Sequence, residues 1–293
     1  MQTSAATAAP RQTAVRNTLL IIMALNVVVV AVKVVVGVRT QALSVIGAAL
    51  ESGLDVLNNV VGILLVRLAS AGPDETHPYG HEKFETLGAL TIVGFLSISC
   101  FELLRQGVSH ALSHEVPASP RFLELVLVAA TLVVNLFVVA YERRRGRALR
   151  SAFLLADAAH THSDIYVTVA AVASLLLTRM GAGAADPILA IVVALAIAWN
   201  GYQIVRGTVP VLVDERGVDA AQIRELVSSV PEVADVRSVR SRASASGSVF
   251  AEVTIGVRAS TSVAEAHAIA DAIEARLASA IGASEVMVHV EPA

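Results

Sequence analysis

The stretch VIGAALESGLDVLNNVVGILLV, Val45 to Val66, decides how this chain is read. Most of its residues suit a helix lying in lipid, yet it carries two carboxylates, Glu51 and Asp55. An acid near a bilayer centre costs roughly 2.5–3.5 kcal/mol on insertion scales. Four residues apart on a helix, the two acids share one face. They could be protonated acids hydrogen-bonded to neighbouring helices, or part of a polar site inside a bundle. The rarity of intramembrane acids favours the site.

The rest of the chain fits that solvent. Of 293 residues, 55% are hydrophobic and 16% charged, whereas a soluble domain is about 45–50% apolar even with Gly counted. The excess comes in blocks. Six spans are predicted, at about Val15–Val38, Leu43–Ala69, Phe84–Leu112, Phe122–Tyr141, Ala152–Met180 and Pro187–Val209. Residues 1–14 are polar and small, with no basic run before an apolar core, and read as a disordered tail.

Six spans put both termini on one side. Arg11 and Arg16 precede the first span, Arg143, Arg144, Arg145, Arg147 and Arg150 follow the fourth, and Arg206 and Arg216 flank the end of the sixth. The opposite loops hold only Arg39, Arg121 and Arg179. The positive-inside rule then places both termini and the loop after span two in the cytoplasm of a cell inner or plasma membrane. Lys33 is expected to snorkel towards the outer interface. A single cysteine, Cys100, excludes a disulfide framework and any multi-cysteine metal site. A net charge of −3 gives no pointer to nucleic acid.

From about residue 211 the pattern changes. VDAAQIRELVSSVPEV reads as an amphipathic helix, VADVRSVRSRA and SVFAEVTIGVR alternate as strands around a SASG turn, and SVAEAHAIADAIEARLASAI is helical with Ser262 and Glu265 as a capping box. SEVMVHVEP is a last strand. The expected architecture is an all-α, six-helix transmembrane bundle over 15–210, followed by a cytosolic α+β domain of order αββαβ over 211–293.

Three groups of residues could bind metal. In ADAAHTHSDIYV, His160 and Asp164 are also four apart and share a face. Two helices each presenting an i, i+4 pair at similar depth are hard to explain by packing alone. Glu51, Asp55, His160 and Asp164 suffice for a tetrahedral divalent cation. Zn²⁺, Fe²⁺, Mn²⁺, Co²⁺ and Cd²⁺ all suit the donors, and the lack of thiolates argues against Cu⁺. In PDETHPYGHEKFE, Asp74, His77 and His81 stand at spacings of three and four around Pro78 and Gly80. They could be turn and solvated loop residues, but two of the chain's eight histidines falling beside an acid favours a metal. In the tail, His289 and Glu291 share one strand face, while His267 alone reads as a surface residue.

HExxH, P-loop and GxSxG motifs are absent, so no enzyme is expected. An intramembrane metalloenzyme could use the carboxylate-rich site to activate water, but the missing motifs weigh against it. A membrane metal sensor without flux is the main alternative; it accounts for the loop and tail residues but not for two ligand pairs at mid-membrane.

The strings LESGLDVLNN, HPYGHEKFETLGAL, DAAHTHSDI, ADPILAIVVALAI, VPVLVDE and EAHAIADAIEARL…VMVHVEP together resemble the cation diffusion facilitators, proton-coupled exporters of divalent metals. The resemblance implies a divalent cation/proton antiporter, exporting Zn²⁺ or one of Fe²⁺, Mn²⁺, Co²⁺ and Cd²⁺, that works as a homodimer in the lipid bilayer. It implies that Glu51, Asp55, His160 and Asp164 form the transport site between spans two and five, and that Asp74, His77 and His81 form a loop site. Lys83 and Asp214 match a charge pair linking span three to the linker before the tail. The tail resembles the family's metallochaperone-like, ferredoxin-like dimerisation domain. Two departures stand out. The first transport ligand is usually Asp, and here it is Glu51. Arg237 and Thr254 stand where relatives with a two-metal tail have histidines, so His267, His289 and Glu291 imply at most a reduced tail site.

Overall fold

A computed structural model of the chain describes residues 3–40, 43–113, 122–179, 185–244 and 247–293. The chain divides into two compact units, Ala5–Thr208 and Val209–Ala293. The predicted loop containing Arg121 lies outside the described residues, as does the centre of the SASG turn.

The first unit is helical throughout: α1 (Thr3–Thr40), α2 (Leu43–Ala69), α3 (Lys83–Ser113), α4 (Phe122–Leu149), α5 (Ala152–Arg179) and most of α6 (Ala185–Leu212). Five of these are long and apolar enough to cross a membrane. The sixth, α5, carries Asp157, His160, His162 and Asp164 in its first half. On α2 the usual helix pattern is inverted. Leu50, Leu54, Leu57, Leu64 and Leu68 are exposed, while Ser52, Asn58 and Asn59 are buried. An apolar outer face with a polar inner face suits a helix whose outer solvent is lipid.

Two boundaries differ from the sequence reading. Residues 3–14 are helical and not a disordered tail: the Ala-rich start favours helix, and Arg11 anchors it. Its guanidinium donates to the Leu149 carbonyl at 2.7 Å, to that of Arg150 at 2.9 Å, and to the buried Glu85 carboxylate at 3.0 Å. Span four also runs eight residues past its predicted end, so the arginine run is helical. Arg143 bonds to His162 and Arg145 to Thr18, so these cations have partners on the bundle and need no loop.

The bundle core centres on Phe153 of α5, which has no exposed surface. Its ring lies between Gly62 of α2 and Gly88 of α3. A Cβ at position 62 would overlap the ring, and one at position 88 would stand 2.8 Å from it. Small residues of this kind let helices approach closely in lipid, where apolar contact alone gives no preference for protein over acyl chain.

The second unit has the expected order: α7 (Ala220–Ser228), β1 (Asp235–Ala243), β2 (Val249–Val257), α8 (Val263–Ile281) and β3 (Ala283–Pro292). β2 is central, antiparallel to β1 and parallel to β3. Ala251, Val253, Ile255 and Val257 are buried with Ile223 and Val227 of α7 and Ile273 and Leu277 of α8. The predicted capping box of Ser262 and Glu265 is formed, and Gly282 ends α8 in the left-handed conformation.

Gly62→Ala should drive a methyl into the Phe153 ring and destabilise the bundle by about 1–3 kcal/mol. The check is a lower thermal midpoint for the detergent-solubilised protein, relieved when Phe153→Leu is added.

Candidate metal centre

Asp55 of α2 and His160 and Asp164 of α5 converge. One ligand atom from each lies within 4.8 Å of the other two, and His160 Nε2 stands 3.5 Å from Asp55 Oδ1. His160 is buried; Asp55 and Asp164 are partly so. Donors around a tetrahedral metal with bonds of about 2.1 Å stand roughly 3.4 Å apart. A small contraction would therefore enclose an ion. Glu51, one turn before Asp55, is exposed and is not gathered with these three.

The helices are held in register by amide bridges. Asn58 and Asn59 of α2 donate to the two oxygens of Asp157 of α5, at 2.7 and 3.2 Å. Asn59 in turn accepts from Asn26 of α1 at 3.0 Å, and Asn200 of α6 donates to Ser163 of α5 at 3.1 Å. Lys33 does not snorkel. It is buried on α1 and donates to Ser52 Oγ at 2.8 Å, next to Glu51, because a polar partner inside the bundle is nearer than the interface. Sequence reasoning missed Lys33 in this role, and also Glu142, which is wholly buried on α4. Glu142 stands directly before the arginine run, where it reads as part of a charged loop.

The loop between α2 and α3 brings Asp74, His77 and His81 within the same 4.8 Å limit. Asp74 Oδ1 accepts from the His77 and Thr76 backbone N–H groups at 2.6 and 2.9 Å and from the Thr76 hydroxyl at 2.9 Å. Gly80, at φ +83°, takes the left-handed bend that returns His81 to the cluster. The His81 Nδ1 atom meets the Gly72 carbonyl at 3.1 Å, so it carries the proton. The Nε2 lone pair then points towards Asp74 Oδ2, 3.4 Å away. The His77 backbone bond, followed by the Thr76 hydroxyl, holds the Asp74 carboxyl down at about 2.

The tail residues are not brought together. His267 faces Asp271 on its own helix at 3.8 Å, and His289 faces Glu291 at 3.4 Å. A β-bulge at Arg237 re-aims its side chain. The guanidinium pairs with Glu291 and Asp235 and donates to the Pro292 carbonyl at 2.8 Å. A resident cation thus occupies the carboxylate that a tail metal would need, and a three-residue tail site is not assembled. Gly256 lies between Asp235 and Glu291 in register, and a Cβ there would overlap the Asp235 carboxylate. Of the expected charge pair, Lys83 opens α3 in the first unit; Asp214, in the second, accepts from Arg242 at 3.5 Å.

Comparison with known proteins settles the family. The cation efflux transmembrane domain matches residues 19–213, and the cytoplasmic domain of cation efflux proteins matches residues 216–293. The chain belongs to the cation diffusion facilitator family. It is 28% identical to the cation-efflux pump FieF of Cronobacter sakazakii over 255 residues, covering 86% of this chain and 84% of the relative. It is 28% identical to an uncharacterised transporter of Methanocaldococcus jannaschii over 270 residues, 91% and 94% of the two chains. The FieF pump of Shewanella oneidensis is 27% identical over 265 residues, 90% and 89%. The protein is a multi-pass membrane transporter of cation-efflux type.

The depressed Asp74 carboxyl sets the loop's acid limit. A group lowered in the folded state stabilises above its unfolded value, about 3.9, and loses that contribution as pH falls towards 2. Asp74 therefore stays ionised at every pH above about 4. Between about pH 4 and pH 2 the thermal midpoint of the detergent-solubilised protein should fall more steeply than that of Asp74→Asn, which lacks the shifted group; equal slopes would contradict this.

Proposed function

We propose that the protein exchanges a divalent metal cation for protons, exporting the metal from the cytoplasm through a site formed by Asp55, His160 and Asp164, with Glu51 as a fourth, later-arriving ligand. The observation that carries this reading is the convergence of Asp55 of α2 with the i, i+4 pair His160 and Asp164 of α5, inside a bundle with a lipid-facing exterior. A buried carboxylate or imidazole lone pair holds either a proton or a metal, so filling the site with one displaces the other. The substrate is Zn²⁺ first, with Fe²⁺, Mn²⁺, Co²⁺ and Cd²⁺ compatible with the same oxygen and nitrogen donors. The arginine bias of the sequence supports cytoplasmic termini. The match to the family's cytoplasmic domain supports a homodimer. Asp74, His77 and His81 would hold a further metal on the cytoplasmic side.

In proteoliposomes with an imposed pH gradient, Asp55→Ala and Asp164→Ala should each lower Zn²⁺ uptake at least about tenfold, as expected on losing a first ligand where even outer-shell changes cost 10–100-fold. Full pH-driven uptake by a folded variant would refute the site. Binding without flux in the unaltered protein would favour a metal sensor. Glu51→Asp, shortening the departing ligand by one methylene, should change the ranking of metals measured in the same assay.

A further inference from the structure

We propose that Glu142 of α4 and Asp157 of α5 form a second ionisable site in the bundle, which holds a proton and releases it when metal binds at Asp55, His160 and Asp164. The inference rests on the transport reading above and names a proton carrier that is not a metal ligand.

Glu142 has no exposed surface, and no donor reaches either of its carboxyl oxygens. The group it faces is another carboxyl, Asp157, itself 2% exposed. The other ionisable groups bearing on Glu142 are Asp55 of α2 and Asp164 of α5, again acids. His160 bears on Asp157. The arginines beside Glu142 in sequence are directed elsewhere, Arg143 to His162 and Arg145 to Thr18. An ionised carboxylate buried without donor or counter-cation is strongly disfavoured, and two facing each other more so. One proton resolves this: the Glu142 O–H donates to Asp157, as two carboxyls in one site share a proton.

The donors around Asp157 argue for a proton over a metal. Asn58 and Asn59 each aim an amide N–H at one of its oxygens. Those hydrogens occupy the positions from which a dication would be bound. They also keep Asp157 the anionic acceptor of the pair and leave Glu142 the proton holder. Asn58 Oδ1, also buried and unpartnered, marks the same pocket as short of a donor.

Coupling follows from position. Asp157 precedes His160 by three residues, a rise of roughly 4.5 Å along the helix. A dication among Asp55, His160 and Asp164 would place two positive charges within one turn of the pair, in an interior that screens poorly. The Glu142 O–H then breaks heterolytically. Both electrons stay on the carboxylate, the proton passes to water, and the new negative charge stands beside the metal that displaced it. The same α2 segment carries Asp55 and the two asparagines, so a shift of α2 against α5 alters both sites together.

The test counts protons. Full-length protein in detergent and weak buffer, carrying His77→Ala to silence the loop, is titrated with Zn²⁺ while a pH dye reports release. Glu142→Gln supplies an amide donor to Asp157 but no exchangeable proton. It should bind Zn²⁺ and release about one proton fewer per ion. An unchanged count overturns the proposal. Should that variant fail to fold, the infrared difference spectrum of Glu51→Gln protein carrying ¹³C-carboxyl glutamate decides on adding Zn²⁺: loss of an isotope-shifted protonated glutamate C=O band, distinct from the bands of Asp55 and Asp164, supports the pair, and no such loss overturns it. Zn²⁺ binding that is indifferent to Asp164→Ala would instead overturn the transport reading, and this inference with it; normal binding with an unchanged proton count overturns this inference alone.

Discussion

The amide bridges from Asn58 and Asn59 to Asp157 fix the register of α2 against α5, and the metal centre depends on that register. Asp55 lies one turn before the asparagines, and His160 one turn after the aspartate. In lipid, packing one leucine on another gains nothing over packing it on an acyl chain. Polar bonds and close approach at small residues must hold the helices instead. Phe153, seated against Gly62 and Gly88, supplies the close approach of α5 to α2 and α3. Asn26 extends the polar bridge to α1, and Asn200 extends it to α6. The site is therefore the polar interior of the bundle seen from one point, and the forces that build the fold also position the ligands.

Much of this was legible in the sequence because lipid imposes a one-dimensional signal. Length and apolarity give the spans, and α2 begins and ends at the predicted Leu43 and Ala69. Acid and imidazole spacing group Glu51, Asp55, His160 and Asp164, of which the last three are gathered in the structure. What the sequence could not give were helix extensions where charged residues find partners inside the protein. The start of α1 looks like a tail until Glu85 is seen to receive Arg11, and the end of α4 looks like a loop until Arg143 and Arg145 are paired. Glu142 was hidden for the same reason. A lone acid beside five arginines reads as charge balance, and only packing shows it turned away from them.

The tail shows a different limit. Alternation and capping placed every element, but whether its acids were free for a metal depended on one bulge. With the register shifted at Arg237, a guanidinium reaches across the glycine of the central strand to Glu291. Spacing alone cannot reveal this, because a bulge changes which face a side chain takes without changing the pattern around it. The tail of this chain thus carries its own cation on Glu291, where at most a reduced metal site had been expected.

Lys33 alters the meaning of the departure at Glu51. A glutamate in place of the usual aspartate suggests a longer ligand reaching the same ion. Yet Glu51 stands outside the cluster of three, while Lys33 is buried on α1, bonded to Ser52, the residue after Glu51, and in electrostatic reach of Glu51, Asp55 and Asp164. A buried ammonium beside three carboxylates offsets part of their charge before any metal arrives. It also gives Glu51 a cationic neighbour. The carboxylate at position 51 therefore has to be read together with the buried lysine of α1, and not by its own identity taken alone.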